Sequence, residues 1–174
     1  MALINTTTTG VLGTTIFGDG SGNLTVQQNG VTLNKITSAP TFSYYQSSAQ
    51  SVPVTTNTKI TFTSFDWDTT GGMYSIANSR FTPTVAGYYT INGALTMSAS
   101  FCGGEALIYK NGSNFKSGIG FASGAYSNRF AVSGLVYCNG STDYIEIFGY
   151  ITTAQALSAA TAQTYFQAAL VRSE

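Results

Sequence analysis

Asp66, Asp68, Glu105, Asp143 and Glu146 are the carboxylates with which the body of this 174-residue chain could perform acid–base chemistry. The chain has no histidine, which removes serine–histidine and cysteine–histidine nucleophiles and imidazole-bound metals at once. Two carboxylates flanking a sugar bond would suffice for glycoside hydrolysis, and Asp66 and Asp68 stand closest in sequence. Asp68, however, sits at the edge of a turn-rich stretch, where an aspartate ordinarily accepts hydrogen bonds from nearby backbone. No catalytic set and no cofactor are therefore expected, and the chain reads as a non-enzyme. Between the two acids lies Trp67, the single tryptophan. An exposed indole would stack on a sugar ring, whereas the commoner role of a lone tryptophan is a hydrophobic plug. Asp66, Trp67 and Asp68, expected together in one loop, are the candidate ligand-binding residues.

Two other patterns carry less. Asp19-x-Ser21-x-Asn23 has the alternate oxygen spacing of a calcium loop, but Gly30 stands where such a loop supplies its bidentate glutamate. Gly-Asp-Gly-Ser-Gly is also ordinary hairpin sequence, so no metal site is assigned. Cys102 and Cys138 fit either a disulfide or two buried apolar thiols. Asn-x-Ser/Thr triplets at Asn5, Asn23, Asn111 and Asn139 are what chance produces in a chain this rich in Asn, Ser and Thr.

Something must hold these side chains in place, and composition limits what. Charged residues are 8% of the chain, seven basic against seven acidic, so there is no electrostatic footprint for a nucleic-acid backbone or an anionic membrane. There is no apolar run of about eighteen residues, and the first ten residues lack the basic and apolar regions of a secretory leader. The expected location is the cytoplasm that made it, or a virus particle released from it. Hydrophobic residues at 43%, with 13% aromatics, fill one core, and a remainder of Thr, Ser, Asn and Gly suits an all-β protein.

The elements follow from alternation and turn residues. Residues 1–38 read as a β-rich arm, with period-2 pieces at Ile16-Phe17, Leu24-Thr25-Val26 and Val31-Thr32-Leu33 separated by Gly- and Asn-rich turns. Ala39-Pro40 is the joint, and residues 39–174 form the head. Strands are expected at Phe42 to Tyr45, Thr58 to Phe62 and Ser79 to Thr82, with Phe65 to Asp68 as a loop between the last two. Gly87 to Met97 alternates as a half-buried strand. Asn111-Gly112 and Asn139-Gly140 mark hairpin turns. The alanine-rich stretch 154–162 has no cap and no amphipathic stripe and reads as loop, and a last strand runs from Thr164 to Val171. Eight to ten short antiparallel strands fit a double-sheet jelly roll.

One spacing is more specific than the rest. Phe62, Asp68, Tyr74, Phe81, Gly87, Tyr89 and Ile91 are separated by five, five, six, five, one and one residues. This resembles the globular-head signature of the complement component-1 subunit-q family, within the tumour-necrosis-factor-like superfamily. That signature has an aromatic, an Asn or Asp, a large apolar residue, the Phe of an Arg-Phe-Thr-Pro-like stretch, then Gly-x-Tyr-x-aromatic-x-aromatic. The chain departs from it by one extra residue before Tyr74, by Ile91 for an aromatic, and by Gly93 for Phe or Tyr. The resemblance spans roughly residues 40 to 171 and includes a Tyr-Lys-Asn-Gly hairpin at Tyr109 to Gly112.

The resemblance implies a homotrimer that binds proteins or glycans through exposed loops, without catalysis. Tyr44, Tyr45, Tyr89, Phe148 and Phe166 are then either core or subunit-contact residues, because aromatics outnumber the inward positions of one small sandwich. In phage genomes such heads resemble fibre and decoration modules. The expected role is therefore a structural protein on a bacteriophage virion. Its arm would be held by other virion proteins, and its head would face a host surface glycan or protein. The alternatives are a free lectin-like module of a cell and, further off, a glycan depolymerase.

Overall fold

The computed structural model describes residues 39–98, 103–121, 129–159 and 162–174, together with the backbone of three strands before residue 38. The chain divides into two compact units, Met1–Ala39 and Pro40–Glu174. The first contains β1 (Thr14–Gly18), β2 (Leu24–Gln28) and β3 (Val31–Ile36), an antiparallel meander in that order. The Asp19-Ser21-Asn23 pattern and Cys102 lie outside the described residues.

The second unit begins with β4 (Thr41–Tyr45), β5 (Ser51–Val52), β6 (Thr58–Lys59), β7 (Ser64–Asp68), β8 (Tyr74–Ser75) and β9 (Arg80–Phe81). Longer strands follow: β10 (Ala86–Thr96), β11 (Gly103–Lys110), β12 (Ser113–Phe121), β13 (Arg129–Asn139) and β14 (Ile145–Ile151). The last two are β15 (Gln155–Ala156) and β16 (Tyr165–Ser173). A five-stranded sheet has the order β13-β10-β16-β4-β7, and a second runs β12-β11-β14-β9-β8 with β6 also on β14. Every pairing is antiparallel. No helix occurs among the described residues, and the alanine-rich stretch forms the short bridge β15 to β5.

Two apolar faces need each other, so the sheets stack and the core lies between them. Alternation along β10 puts Tyr89, Ile91 and Leu95 inward at 0% exposure, and β14 answers with Ile145, Ile147 and Ile151. At one end the sheets close more tightly than any side chain would permit: a Cβ on Gly118 would stand 1.9 Å from the carbonyl oxygen of Ala131. At the turns, Asn111 and Gly112 have φ of 52° and 78°, the mirror-image turn that matches strand twist. Cys138 is a free, buried thiol, pushed up to about 11 chiefly by burial.

Two sequence expectations change here. Thr58 to Phe62 is strand only over Thr58–Lys59. Ile60 N–H still donates to Ile147 O at 2.9 Å, but the next amide, Thr61, is taken by the Gln50 side-chain oxygen at 2.9 Å, which ends the ladder. Phe65 to Asp68 is not a loop. It is the edge strand β7, paired to β4, because its aromatics fit a pleated surface better than its acids oppose it.

Candidate functional site

β7 pairs with β4 through a bulge: Ser43 stands opposite Trp67 and Tyr44 opposite Phe65, leaving Asp66 as the extra residue. Residues two apart on a strand ordinarily share a face, and the bulge breaks that rule for the two acids. Asp66 accepts from Ser43 Oγ at 2.9 Å, while Asp68 accepts from the hydroxyl of the neighbouring Tyr44 at 2.8 Å. Ser43 and Tyr44 are consecutive and face opposite ways. The structure therefore brings Asp66 and Trp67 together on the open face of the five-stranded sheet and turns Asp68 toward the core side. Trp67 is 46% exposed, its indole N–H directed at Thr41 Oγ1 at 3.5 Å.

Asp68 is fully engaged. Its Oδ1 accepts from Thr70 N–H at 2.7 Å and Thr70 Oγ1–H at 2.6 Å, and its Oδ2 from Tyr44. Burial alone would raise its pKa, but the Thr70 and Tyr44 donors outweigh burial and hold the carboxyl below its ordinary value. The same pair acts oppositely on Tyr44, whose hydroxyl is pushed up by burial and then by the bond to Asp68. Tyr44 in turn stacks on Tyr74, centroids 3.9 Å apart.

The other carboxylates are dispersed. Asp143 ties the two hairpin turns together, accepting from Asn111 Nδ2 at 2.7 Å, Lys110 Nζ at 2.9 Å and Asn139 N–H at 3.0 Å. Glu146, with a side chain 5% exposed, lies between Lys59 Nζ at 3.3 Å and Arg80 Nη2 at 3.0 Å, and Arg80 caps the Tyr144 ring at 3.8 Å. This triad joins β6, β9 and β14, and no spacing in the sequence announces it. Glu105 stands on the outer face of β11.

Of the aromatics predicted as core or subunit contacts, Tyr44, Tyr89 and Phe166 are buried in the core. Phe148 is half-buried, stacked on Tyr109 at 3.9 Å. Tyr45 is half-buried opposite Tyr165 on the open face of the five-stranded sheet. That face also carries residues not singled out from sequence: Tyr88, Tyr137 and Leu135, the last 57% exposed. Across its middle strands it presents Thr90, Asn92, Ala94, Gln167, Ala169 and Thr41, with no charge among them. Strict alternation on β10 and β16 was the signal that could have found them.

No family model and no curated protein sequence matches the chain. Solved structures do. The globular domain of zebrafish complement 1qA protein aligns at TM-score 0.56 and 16% identity, over 78% of this chain and 99% of that one. Murine APRIL at pH 5.0 aligns at 0.60 and 14%, over 76% and 99%. Eiger TNF from S. frugiperda aligns at 0.61 and 6%, over 78% and 94%. The fold is the complement-1q and tumour-necrosis-factor jelly roll. At these identities the likeness is one of fold.

Within that jelly roll, two departures from the head signature have physical reasons. The segment from Asp68 to Tyr74, one residue longer than the signature, turns at Gly71 and Gly72, whose φ of 69° and 97° a side chain would strain. At Gly93 a Cβ would lie 3.0 Å from Ile147 Cδ1. The space an aromatic would take there is filled from the opposite sheet.

Proposed function

We propose that the chain is a non-enzymatic structural and binding module that assembles as a homotrimer on a bacteriophage virion, at a fibre tip or as a capsid decoration. The observation that carries the assembly is the open face of the five-stranded sheet. Its middle, Thr90, Asn92, Ala94, Gln167, Ala169 and Thr41 across three strands, carries no charge; exposed Leu135 and Tyr88 border it, with Arg172 beside Tyr88 at one end, and depletion of charge is what marks the centre of a subunit contact. Membership of this jelly-roll fold points to the same oligomer. The β-arm and the Thr-, Ser- and Asn-rich, nearly uncharged composition support the virion setting, with the arm held by other virion proteins. Asp66 and Trp67, at the rim of the open face, are the proposed contact for a host surface glycan or protein. The internal bonds of the carboxylates favour binding over glycoside cleavage, because Asp68, Asp143 and Glu146 are each tied to two or more donors of the chain itself.

Native mass spectrometry of the full chain is expected to give a trimer, and Ala169→Arg, which sets a charge at the centre of the uncharged face, a monomer of unchanged fold. A wild-type monomer overturns the assembly. Removing residues 1–38 is expected to leave the head soluble and trimeric and to abolish incorporation into particles; retained incorporation removes the anchoring role.

A further inference from the structure

On the other sheet, Glu105 pairs with Ile119 of β12 on one side and with Tyr150 of β14 on the other. Paired residues share a face, so Ile119, Glu105 and Tyr150 form one row across three strands. The next position on that face of β11 is Gly103. It lines, with the row and Thr152, a cavity of about 180 Å³. Ile119 is 82% exposed and Glu105 half-buried.

Every other carboxylate in the two sheets has donors, as described above for Asp66, Asp68, Asp143 and Glu146. Among the described residues, none gives the Glu105 carboxylate a hydrogen bond or an ion pair. A carboxylate flanked by an aromatic and an aliphatic wall and left unpaired is complementary to a positive charge carried on an apolar body. We propose that this cavity binds a small organic cation, an ammonium group with apolar substituents, its charge against Glu105 and its substituents against Tyr150 and Ile119.

A sugar fits the lining less well. Only Glu105 and the Tyr150 hydroxyl are open to it, and the Thr152 hydroxyl already accepts from Gly103 N–H and donates to Gly103 O, each at 3.1 Å, too few polar groups for the many hydroxyls of a sugar. A divalent metal would need more oxygen ligands than one carboxylate supplies. The cavity lies on the sheet opposite the proposed subunit contact, so the inference is independent of the trimer.

The test is titration of the ¹⁵N-labelled full chain with choline, with its neutral isostere 3,3-dimethylbutan-1-ol, and with methyl α-glucoside, followed by amide chemical shifts. Choline is expected to move Gly104, Glu105, Gly120 and Tyr150, weakening as salt screens the charge, and the neutral alcohol to bind about tenfold less tightly or worse. Glu105→Gln is expected to weaken choline by about the same factor while leaving the unfolding midpoint unchanged. Ile119→Lys, which sets an ammonium of the chain's own beside Glu105, is expected to abolish binding. Equal affinity for the alcohol, undiminished binding by Glu105→Gln, or no shift at the cavity overturns the proposal. Shifts with the glucoside in place of choline overturn the ligand class.

Discussion

Phe42→Ala is expected to cost about 3–5 kcal/mol of folding stability, a large part of the roughly 5–15 kcal/mol that holds a domain folded. Phe42 is 0% exposed. Its ring meets those of Tyr44, Tyr74, Phe81 and Phe166, with centroids 5.6, 5.2, 4.9 and 5.0 Å away. Truncation leaves a cavity at the point where both sheets and the β8–β9 hairpin converge. The surrounding rings are poorly placed to collapse into it. Tyr44 is held by Asp68, Tyr74 by a hydroxyl bond to Phe62 O at 3.4 Å, and Phe166 by its strand pairing to Tyr44. Phe65→Ala is the matched control, since that ring is 54% exposed on an edge strand, and about 1 kcal/mol or less is expected. Denaturant unfolding separates the two: the midpoint falls sharply for Phe42→Ala at unchanged slope. Equal losses would remove Phe42 from the centre of the core.

That centre was only partly legible in the sequence. Tyr89, Ile91 and Leu95 announce their inward face by alternation, and Asn111-Gly112 announces its turn, because both signals are local. What failed was non-local. Ser-Phe-Asp-Trp-Asp alternates as a strand does, but its partner is β4, and the bulge that separates Asp66 from Asp68 depends on a register no single strand encodes. The same holds for Lys59, Arg80 and Glu146, which meet only when three strands are aligned, and for Glu105. Its significance lies in the residues beside it on β12 and β14. Tyr44 and Tyr45 show the limit most plainly, as adjacent identical residues, one in the core and one on the open face.

Asp68→Ala is expected to cost about 3 kcal/mol, one net hydrogen bond's worth for each of its three donors. Part of that loss is the Tyr44 hydroxyl, left without its acceptor on a residue 4% exposed. Asp68→Asn should cost about 1 kcal/mol, because an amide oxygen still accepts from Thr70 and the Tyr44 hydroxyl reverses to accept from the amide. The pH dependence separates charge from geometry. The folded-state pKa of Asp68 is depressed, so its stabilisation is complete above the unfolded value of about 3.9 and is lost as pH falls below it, through the folded pKa. Asp143 is depressed too, first by Asn111 and also by Lys110 and Asn139, and it loses stability in the same window. The wild-type chain is therefore expected to lose stability steeply below about pH 4, and Asp68→Ala less steeply, since one of the two proton-linked groups is gone. If the acid slope is unchanged by the substitution, the Tyr44–Asp68–Thr70 network does not stabilise the fold. The signature aspartate would then be free to meet a ligand, which its three internal hydrogen bonds argue against.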